Sequence, residues 1–247
     1  MEEKSNSFAI VLFGVLFSAS IIASAFLITN ALYKVKSLDN VLSVTGSTKY
    51  AVTADTVKWS SNISRSVKVS DLKSGYSQIS KDLENVIKFL KDSGIKESDI
   101  KVYPVSMGKD YSYNQNVSPS DQIYVLQQNI EVSSTDVDTV EKVSKDTAKI
   151  SEIGALFSMG NVEYYYSKLP DLRVSLLSDA IKDAKNRAAK IAESNNQKVG
   201  SLKSASMGSV LVLAPNSNID NSDWGAYDTL SKEKEIMVTV KTSFLLE

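Results

Sequence analysis

The chain has 247 residues, with 28 Lys and Arg against 29 Asp and Glu, and it contains neither His nor Cys. This near-neutral charge argues against a dedicated nucleic-acid-binding protein, which needs a basic surface to neutralise phosphates. The missing residue types exclude a Ser-His-Asp triad, a cysteine nucleophile, a disulfide and a zinc site built on imidazole or thiolate. Metal chemistry is restricted to all-oxygen sites, acid–base chemistry falls to Asp, Glu, Lys or Tyr, and we predict no cofactor.

The first distinctive segment is an apolar run near the N-terminus. No charged residue occurs in Ser5–Tyr33, and Phe8–Leu32 spans 25 residues. A helix of that length exceeds the thickness of a hydrocarbon core, which is about 30 Å. The sequence therefore predicts that residues 1–40 are a membrane anchor and short linker, with Phe8–Leu32 crossing the bilayer.

Two other interpretations of this run remain open. Ala23-Ser24-Ala25 resembles a signal-peptide cleavage site, so the segment could be removed after export. Against cleavage, two glutamates offset the basic charge before the run, and the run continues for seven residues beyond that site. The third interpretation, a buried helix of a soluble domain, fits poorly because such helices rarely carry a uniformly apolar surface.

Charge specifies the membrane orientation only weakly. Lys4 precedes the apolar run, and Lys34 and Lys36 follow it. Counted strictly, the positive-inside rule favours a cytoplasmic C-terminal part, by a margin of one residue.

The rest of the chain alternates between strand and helix patterns, recognised by period-two alternation and by apolar residues at i, i+3 and i+4. Strands are predicted at Val41–Thr48, from Val52 to Val69, and at Ile100–Met107, Ile123–Ser134, Ala155–Tyr166, Leu202–Leu213 and Glu235–Leu246. Helices are predicted from Ser70-Asp71 to Gly94, from Ser134 to Gly154 and from Pro170 to Ser194, with polar loops at Gly108–Gln122 and Ala214–Thr229. This order predicts an α+β fold, in which a mixed or antiparallel sheet carries helices on one face after one N-terminal transmembrane helix.

Several of these segments resemble the SIMPL-domain family, also called DUF541. Val44-Thr45-Gly46 and then Ala54-Asp55-Thr56-Val57 resemble the family's V-x-G and P-D-x-A opening, with Ala54 in place of the common proline. Leu90–Met107 resembles its L-x-x-x-G-I-x-x-x-D-I segment, and Leu177–Leu202 resembles its alanine-spaced helix before a glycine and a strand. The resemblance covers about residues 41–247, which we therefore predict to be one SIMPL-like domain.

The resemblance implies a bacterial cell-envelope protein that faces away from the cytoplasm, and this outweighs the margin of one charge. It also implies self-assembly into ring-shaped or channel-like homo-oligomers, and a connection to oxidative-stress defence without a defined chemistry. The family is not known for a conserved catalytic constellation, so the resemblance implies a protein that is not an enzyme.

Aromatic residues are the candidate interface. Tyrosine and tryptophan are common at interfaces because they bury a large area while keeping a polar group. The residues we select are Tyr164, Tyr166, Tyr111, Tyr113 and Trp224. For the tyrosines, core packing and small-ligand binding remain alternatives, and Trp224 could instead fold back onto the sheet.

Acidic residues offer weaker candidates. Asp55 lies between two predicted strands, where it could be a ligand carboxylate or, more simply, the side chain of an Asx-type turn. Asp92, Glu97 and Asp99 lack the alternating spacing and terminal bidentate glutamate of a calcium loop, so we interpret them as a polar connection.

Three functions follow as hypotheses. The first is a non-enzymatic, membrane-anchored envelope protein whose partner is another copy of itself. The second is an extracytoplasmic ligand-binding or sensing module, in which loops 108–122 and 214–229 receive a ligand or a cell-wall component. The third is an enzyme using two carboxylates about 5–10 Å apart, for which the sequence indicates no pair.

Overall fold

The computed structural model of the chain describes residues 3–37, 40–110, 118, 122–152, 154, 156–217 and 225–247. In chain order the elements are α1 (Glu3–Ser37), β1 (Val41–Thr53), β2 (Thr56–Lys68), α2 (Leu72–Asp92), β3 (Ile100–Val102), β4 (Ser106–Lys109), β5 (Ile123–Ser134), α3 (Val137–Lys145), α4 (Thr147–Glu152), β6 (Phe157–Tyr165), α5 (Leu169–Glu193), β7 (Val199–Leu213) and β8 (Glu233–Leu246). The predicted α+β class is confirmed. The strands form two sheets, however, where the sequence suggested one: β1-β8-β7, and β3-β5-β2-β6 with β4 also paired to β5.

The chain divides into two compact units, each built from separate segments. One unit comprises Met1–Thr48, Leu177–Gly208 and Val238–Glu247, and the other comprises Lys49–Leu176 and Ser209–Met237. The strands β1, β7 and β8 each contribute residues to both units, whereas β2 to β6 belong to the second. The predicted boundary between anchor and domain at residue 40 stays a prediction.

The antiparallel pairing of β2 with β5 organises the second unit. It runs without interruption from Val57 opposite Ser134 to Lys68 opposite Ile123. On one face of this strand pair, apolar side chains such as Trp59 and Ile130 are at most 1% exposed and pack with residues of α2 and α3. The alternate residues form the other face, which is mostly polar and faces solvent, as is usual for an antiparallel sheet covered on one side.

An ion pair explains why an arginine occurs among the inward-facing, mostly apolar residues of β2. Arg65 donates from Nε and Nη2 to the two carboxylate oxygens of Asp82 on α2, at 2.6 and 2.8 Å. Donation of these hydrogen bonds to the Asp82 carboxylate raises the pKa of Arg65. Because Asp82 is buried, its charge requires such a partner, and the two-bond geometry fixes α2 on β2.

The strand predicted at Ile100–Met107 is instead two short strands. Both β3 and β4 pair with β5, and Pro104 lies between them. Proline has no N–H to donate to a ladder, so the pairing stops there and resumes two residues later. Proline within a strand favours an edge or a bulge, and β3 indeed lies at the edge of its sheet.

The helix predicted from Ser134 to Gly154 is also divided, into α3 and α4. Asp136 caps α3 by accepting a hydrogen bond from the backbone N–H of Thr139 at 3.1 Å. Asp146 ends α3, and its carboxylate accepts from the backbone N–H of Lys149 at 3.3 Å. Asp146 is thus a second capping aspartate, and it starts a new helix inside the segment that apolar spacing predicted to be one helix.

In the first unit, α5 packs closely on β1 and β8. Three fully buried alanines, Ala180, Ala184 and Ala188, form a cluster with Val240 and Phe244 of β8. At the end of β8, Lys198 and Glu247 exchange two backbone hydrogen bonds, and Leu246 N–H donates to Asn40. These contacts place the end of β8 beside the starts of β7 and β1, so β8 runs antiparallel to both.

Glycine at position 46 allows the close contact between β1 and α5. A Cβ atom at Gly46 would lie 2.1 Å from the carbonyl oxygen of Ala180 and 2.7 Å from Cβ of Ala184. We expect Gly46→Ala to lower the free energy of unfolding by about 1–3 kcal/mol, because backbone must move to admit the methyl group. Chemical denaturation followed by circular dichroism measures this change.

The matched control is Gly108→Ala in β4, where a Cβ atom would meet nothing within 4 Å. We expect that variant to stay within about 0.5 kcal/mol of the parent. Equal stability of the two variants would contradict the packing argument for Gly46.

Candidate functional site

The strand β7 presents a long exposed edge. It is the last strand of the order β1-β8-β7, and the eight residues of Ser201–Gly208 are all exposed, so both faces of this stretch are open. Leu202 and Met207 are 45% and 46% exposed. Edge strands offer backbone N–H and C=O groups to a strand of another chain. We call Ser201–Gly208 the β7 edge and consider it a candidate interface.

The outer face of the five-stranded sheet carries a depression of about 360 Å³, which we call the sheet groove. Its floor consists of the cross-strand pairs Ser60–Glu131 and Asn62–Asn129. On the other side of β2, Ser158 of β6 lies opposite Asn62. Residues directly opposite each other in a sheet point to the same face, so these polar side chains converge.

A β-bulge forms one rim of the sheet groove. Trp59 lies opposite Val162, whereas Ser61 lies opposite Met159, so β6 contains one extra residue. Gly160 lies within this bulge, and a Cβ atom there would be 2.5 Å from the carbonyl oxygen of Ser60. Bulges and strand glycines of this kind often mark places where a ligand or another backbone approaches closely.

Tyr103 forms the opposite rim. Its backbone N–H donates to the carbonyl oxygen of Asn129 at 2.9 Å, and its hydroxyl donates to Oε2 of Glu131 at 3.2 Å. The amine of Lys101 lies 4.7 Å from the centre of the Tyr103 ring. These contacts hold the ring in place beside the floor of the groove.

The structure places two of the five predicted interface residues. Tyr164 is buried in the core, where burial raises the pKa of its hydroxyl. Tyr166 follows β6 directly, is half-buried, and donates its backbone N–H to the hydroxyl of Tyr227 at 3.3 Å. Tyr111, Tyr113 and Trp224 lie outside the described residues. The aromatic interface therefore stays a prediction.

The sequence interpretation missed a buried lysine. Lys234 is fully buried, donates to the carbonyl oxygen of Asp228, and lies 5.6 Å from the centre of the Tyr227 ring. Burial lowers the pKa of its amine, which the nearby charge of Asp228 partly offsets. The signal was present, because Lys234 shares the parity of Ile236 and Val238 on the inward face of β8.

Asp55 connects the turn between β1 and β2 to the residue that follows Tyr166. Its carboxylate accepts from the backbone N–H and the hydroxyl of Ser167, at 2.7 and 2.8 Å, and from the hydroxyl of Thr56 at 3.1 Å. Burial raises the pKa of Asp55, but these hydrogen bonds outweigh burial and hold it below its ordinary value. The carboxylate thus makes a long-range structural contact, rather than the local turn that the sequence suggested.

The acidic residues near Gly94 are paired with lysines. Lys88 contacts Asp92 at 2.5 Å, and Lys91 contacts Glu97 at 2.7 Å. Within the described ranges of the chain, no three acidic side chains are grouped closely enough to hold a metal ion.

The fold and the leading helix define a class of protein: an α+β domain preceded by one helix, Ile10–Tyr33, that is long and apolar enough to cross a membrane. A model of the SIMPL family, described as a protein of unknown function (DUF541), matches residues 42–244. The chain therefore belongs to the SIMPL family, as its sequence resemblance predicted. Comparison with the curated proteins gives no significant match.

Removing the Asp55 carboxylate tests its structural role. We expect Asp55→Ala to lower the free energy of unfolding at pH 7 by about 1–3 kcal/mol, because two charge-assisted hydrogen bonds to Ser167 are lost. The pKa of Asp55 is lower in the folded state, so its contribution is present above the unfolded pKa and disappears as pH falls through the folded pKa. Denaturation at several pH values between about 2 and 7, a range that brackets the titration of an ordinary aspartate, should show the unfolding free energies of the two proteins converging in acid.

The control for this prediction is Asp179→Ala, which removes an exposed carboxylate paired with Lys182. We expect a change within about 0.5 kcal/mol at pH 7. A loss for Asp55→Ala no larger than for this control would show that the Ser167 contacts contribute little.

Proposed function

We propose that this protein is a membrane-anchored cell-envelope protein whose SIMPL domain lies outside the cytoplasm and binds other copies of itself. The observation that carries the proposal is the combination, in one chain, of an exposed apolar helix and an exposed sheet edge. In this proposal the protein acts by assembly and not by catalysis.

The helix α1 supports the anchor. Every side chain in Ile10–Tyr33 is exposed, including large apolar ones such as Phe13 and Ile22 at 71% and 70%. Apolar surface of this kind gains about 25 cal/mol per Å² when it is removed from water. A bilayer provides such an environment along the whole length of the helix.

The hydroxyl groups within α1 also suit a membrane interior. Ser18, Ser20 and Thr29 donate to backbone carbonyls one turn earlier in the helix, each at 2.8 Å. Moving an unpaired hydroxyl from water into hydrocarbon costs roughly several kcal/mol. These internal hydrogen bonds remove that cost for the three residues.

The compartment is proposed from family membership, since charge around α1 gives only a margin of one residue. The connection to oxidative-stress defence also rests on family membership, and no residue of the chain is assigned to it. The alternative function, ligand binding by loops 108–122 and 214–229, falls largely on residues outside the described ranges.

The β7 edge supports self-association. Lys203 is the only charged residue in Ser201–Gly208, so little charge opposes the approach of a second strand. The remaining residues are small or apolar, which allows a neighbouring backbone to come close. Head-to-tail contacts through such an edge close into a ring when the rotation between copies permits it, whereas two-fold contacts give dimers.

Adding charge to the β7 edge tests self-association. We expect the full-length protein, extracted in detergent, to have a mass that is a multiple of the 27.0 kDa chain. The double variant Leu202→Lys/Met207→Lys should shift this mass to the monomer, because like charges at a strand interface repel each other. Light scattering with correction for bound detergent measures the mass.

The matched control is Val174→Lys/Ile191→Lys, which adds the same charge at exposed apolar positions of α5. We expect it to keep the mass of the parent protein. A parent protein that is monomeric at micromolar concentration would contradict self-association, and an assembled edge variant would exclude the β7 edge as the interface.

Single cysteines test the anchor and its orientation, because the chain has none of its own. We expect Lys185→Cys, at an exposed position of α5, to react with a membrane-impermeant maleimide in cells whose cytoplasmic membrane is sealed. Ser5→Cys, before the apolar run, should react only after lysis. The reverse pattern would place the domain in the cytoplasm, and loss of the Ser5→Cys site from the mature protein would indicate a cleaved signal peptide.

A further inference from the structure

The sheet groove contains polar side chains that the protein itself does not use. Among the residues that the structure describes, the side chains of Ser60, Asn62, Asn129 and Ser158 have no hydrogen-bond partner. Ser61, in contrast, is 6% exposed, and its hydroxyl donates to the carbonyl oxygen of Ile130. The groove therefore offers two amides and two hydroxyls, all pointing to one face of the sheet.

These groups define the chemistry of a ligand. Amides and hydroxyls each donate and accept hydrogen bonds, so they match a molecule whose own groups do both. Glu131 adds an acceptor, since only one of its oxygens receives the Tyr103 hydroxyl. The Tyr103 ring adds an apolar surface at the rim, against which the C–H groups of a ring can pack.

Other ligand classes fit this lining poorly. A phosphate or other anion would be repelled by the carboxylate of Glu131, and the nearest lysine, Lys101, lies at the rim against the Tyr103 ring and is not among the lining residues. A divalent cation would find a single carboxylate, where oxygen-ligand sites usually supply several. A lipid or other apolar ligand would leave the amides and hydroxyls of the floor unpaired.

We propose that the sheet groove binds a neutral saccharide, with Asn62, Asn129, Ser60 and Ser158 bonding its hydroxyl groups and Tyr103 packing against a sugar ring. The depression, about 360 Å³, lies at the lower end of the roughly 300–1,000 Å³ typical of small-ligand sites. The bulge at Gly160 gives the groove its second wall, and the absence of a side chain there lets β6 come close to the carbonyl oxygen of Ser60. This site goes beyond self-association, because it uses side chains of β2, β5 and β6 and not the β7 edge.

The test uses full-length protein in a detergent without a sugar headgroup, with maltotriose and tri-N-acetylchitotriose as separate probes. Saturation-transfer NMR detects binding, and titration calorimetry measures the dissociation constant. We expect at least one of these neutral trisaccharides to bind, and neither inorganic phosphate nor calcium to compete. Failure of both trisaccharides to bind at concentrations on the order of 10 mM would overturn the proposal, as would competition by phosphate or calcium.

Paired variants locate the site. We expect Asn129→Ala to weaken binding by at least about fivefold, because its amide hydrogen bonds to the sugar are lost. Gln127→Ala removes an amide from the same strand and the same face, but outside the groove, and should change binding by less than about twofold. Equal effects of the two variants would overturn the assignment of the site.

A third variant fills the groove. Ser60→Trp places a large side chain on an exposed strand position, which strands tolerate well, and should abolish binding without unfolding the protein. Circular dichroism checks the fold, and the mass in detergent should stay that of the parent. Retained binding by a folded Ser60→Trp protein, or a change of its assembled mass, would show that this face does not serve as a saccharide site.

Discussion

The pairing of β2 with β5 is the constraint on which the second unit depends. Because side chains alternate along a strand, one unbroken register assigns every residue of both strands either to the core or to solvent. Trp59 and Ile130 thereby face the helices, while Asn62 and Asn129 meet on the outer face. A slip of one residue would exchange the two faces, burying the amides and exposing the core. The core and the sheet groove are thus two consequences of one hydrogen-bonded ladder.

Much of this fold could be predicted from sequence because its main signals are local. The alternation in β2 and β5 and the helical spacing in α2 specify those elements without knowledge of their neighbours. The predicted element bounds were wrong where a single residue interrupts a regular pattern of apolar spacing. Pro104 has no N–H to donate, so it divides the strand predicted at Ile100–Met107 in two. Asp146 divides a helix because its carboxylate caps the next one, a local competition that apolar periodicity does not report.

The candidate surfaces could be predicted less well, because they depend on contacts distant in sequence. Parity alone places Asn62 and Asn129 on polar faces, but only the register of β2 with β5 brings the two side chains together. Similarly, β7 was predicted as a strand, but its position at a sheet edge follows from the strand order. The long-range contact of Asp55 with Ser167 joins residues 112 positions apart, so a turn was the simpler interpretation. Lys234 is the exception, since parity alone would have shown a charged residue on an inward face.

The two proposed surfaces rely on different parts of the backbone and can therefore act independently. Strand addition at the β7 edge uses N–H and C=O groups in the plane of a sheet, and its side chains need only be small and weakly charged. Recognition in the sheet groove uses side chains that project from the face of a sheet, while the N–H and C=O groups of β2 are engaged in pairing with β5 and β6. Anchoring by α1 would hold each copy in one membrane plane, which lowers the orientational freedom lost on assembly. An assembly of several copies would also carry several grooves, and weak contacts of several grooves with one repeating glycan add up to tighter attachment than one groove gives.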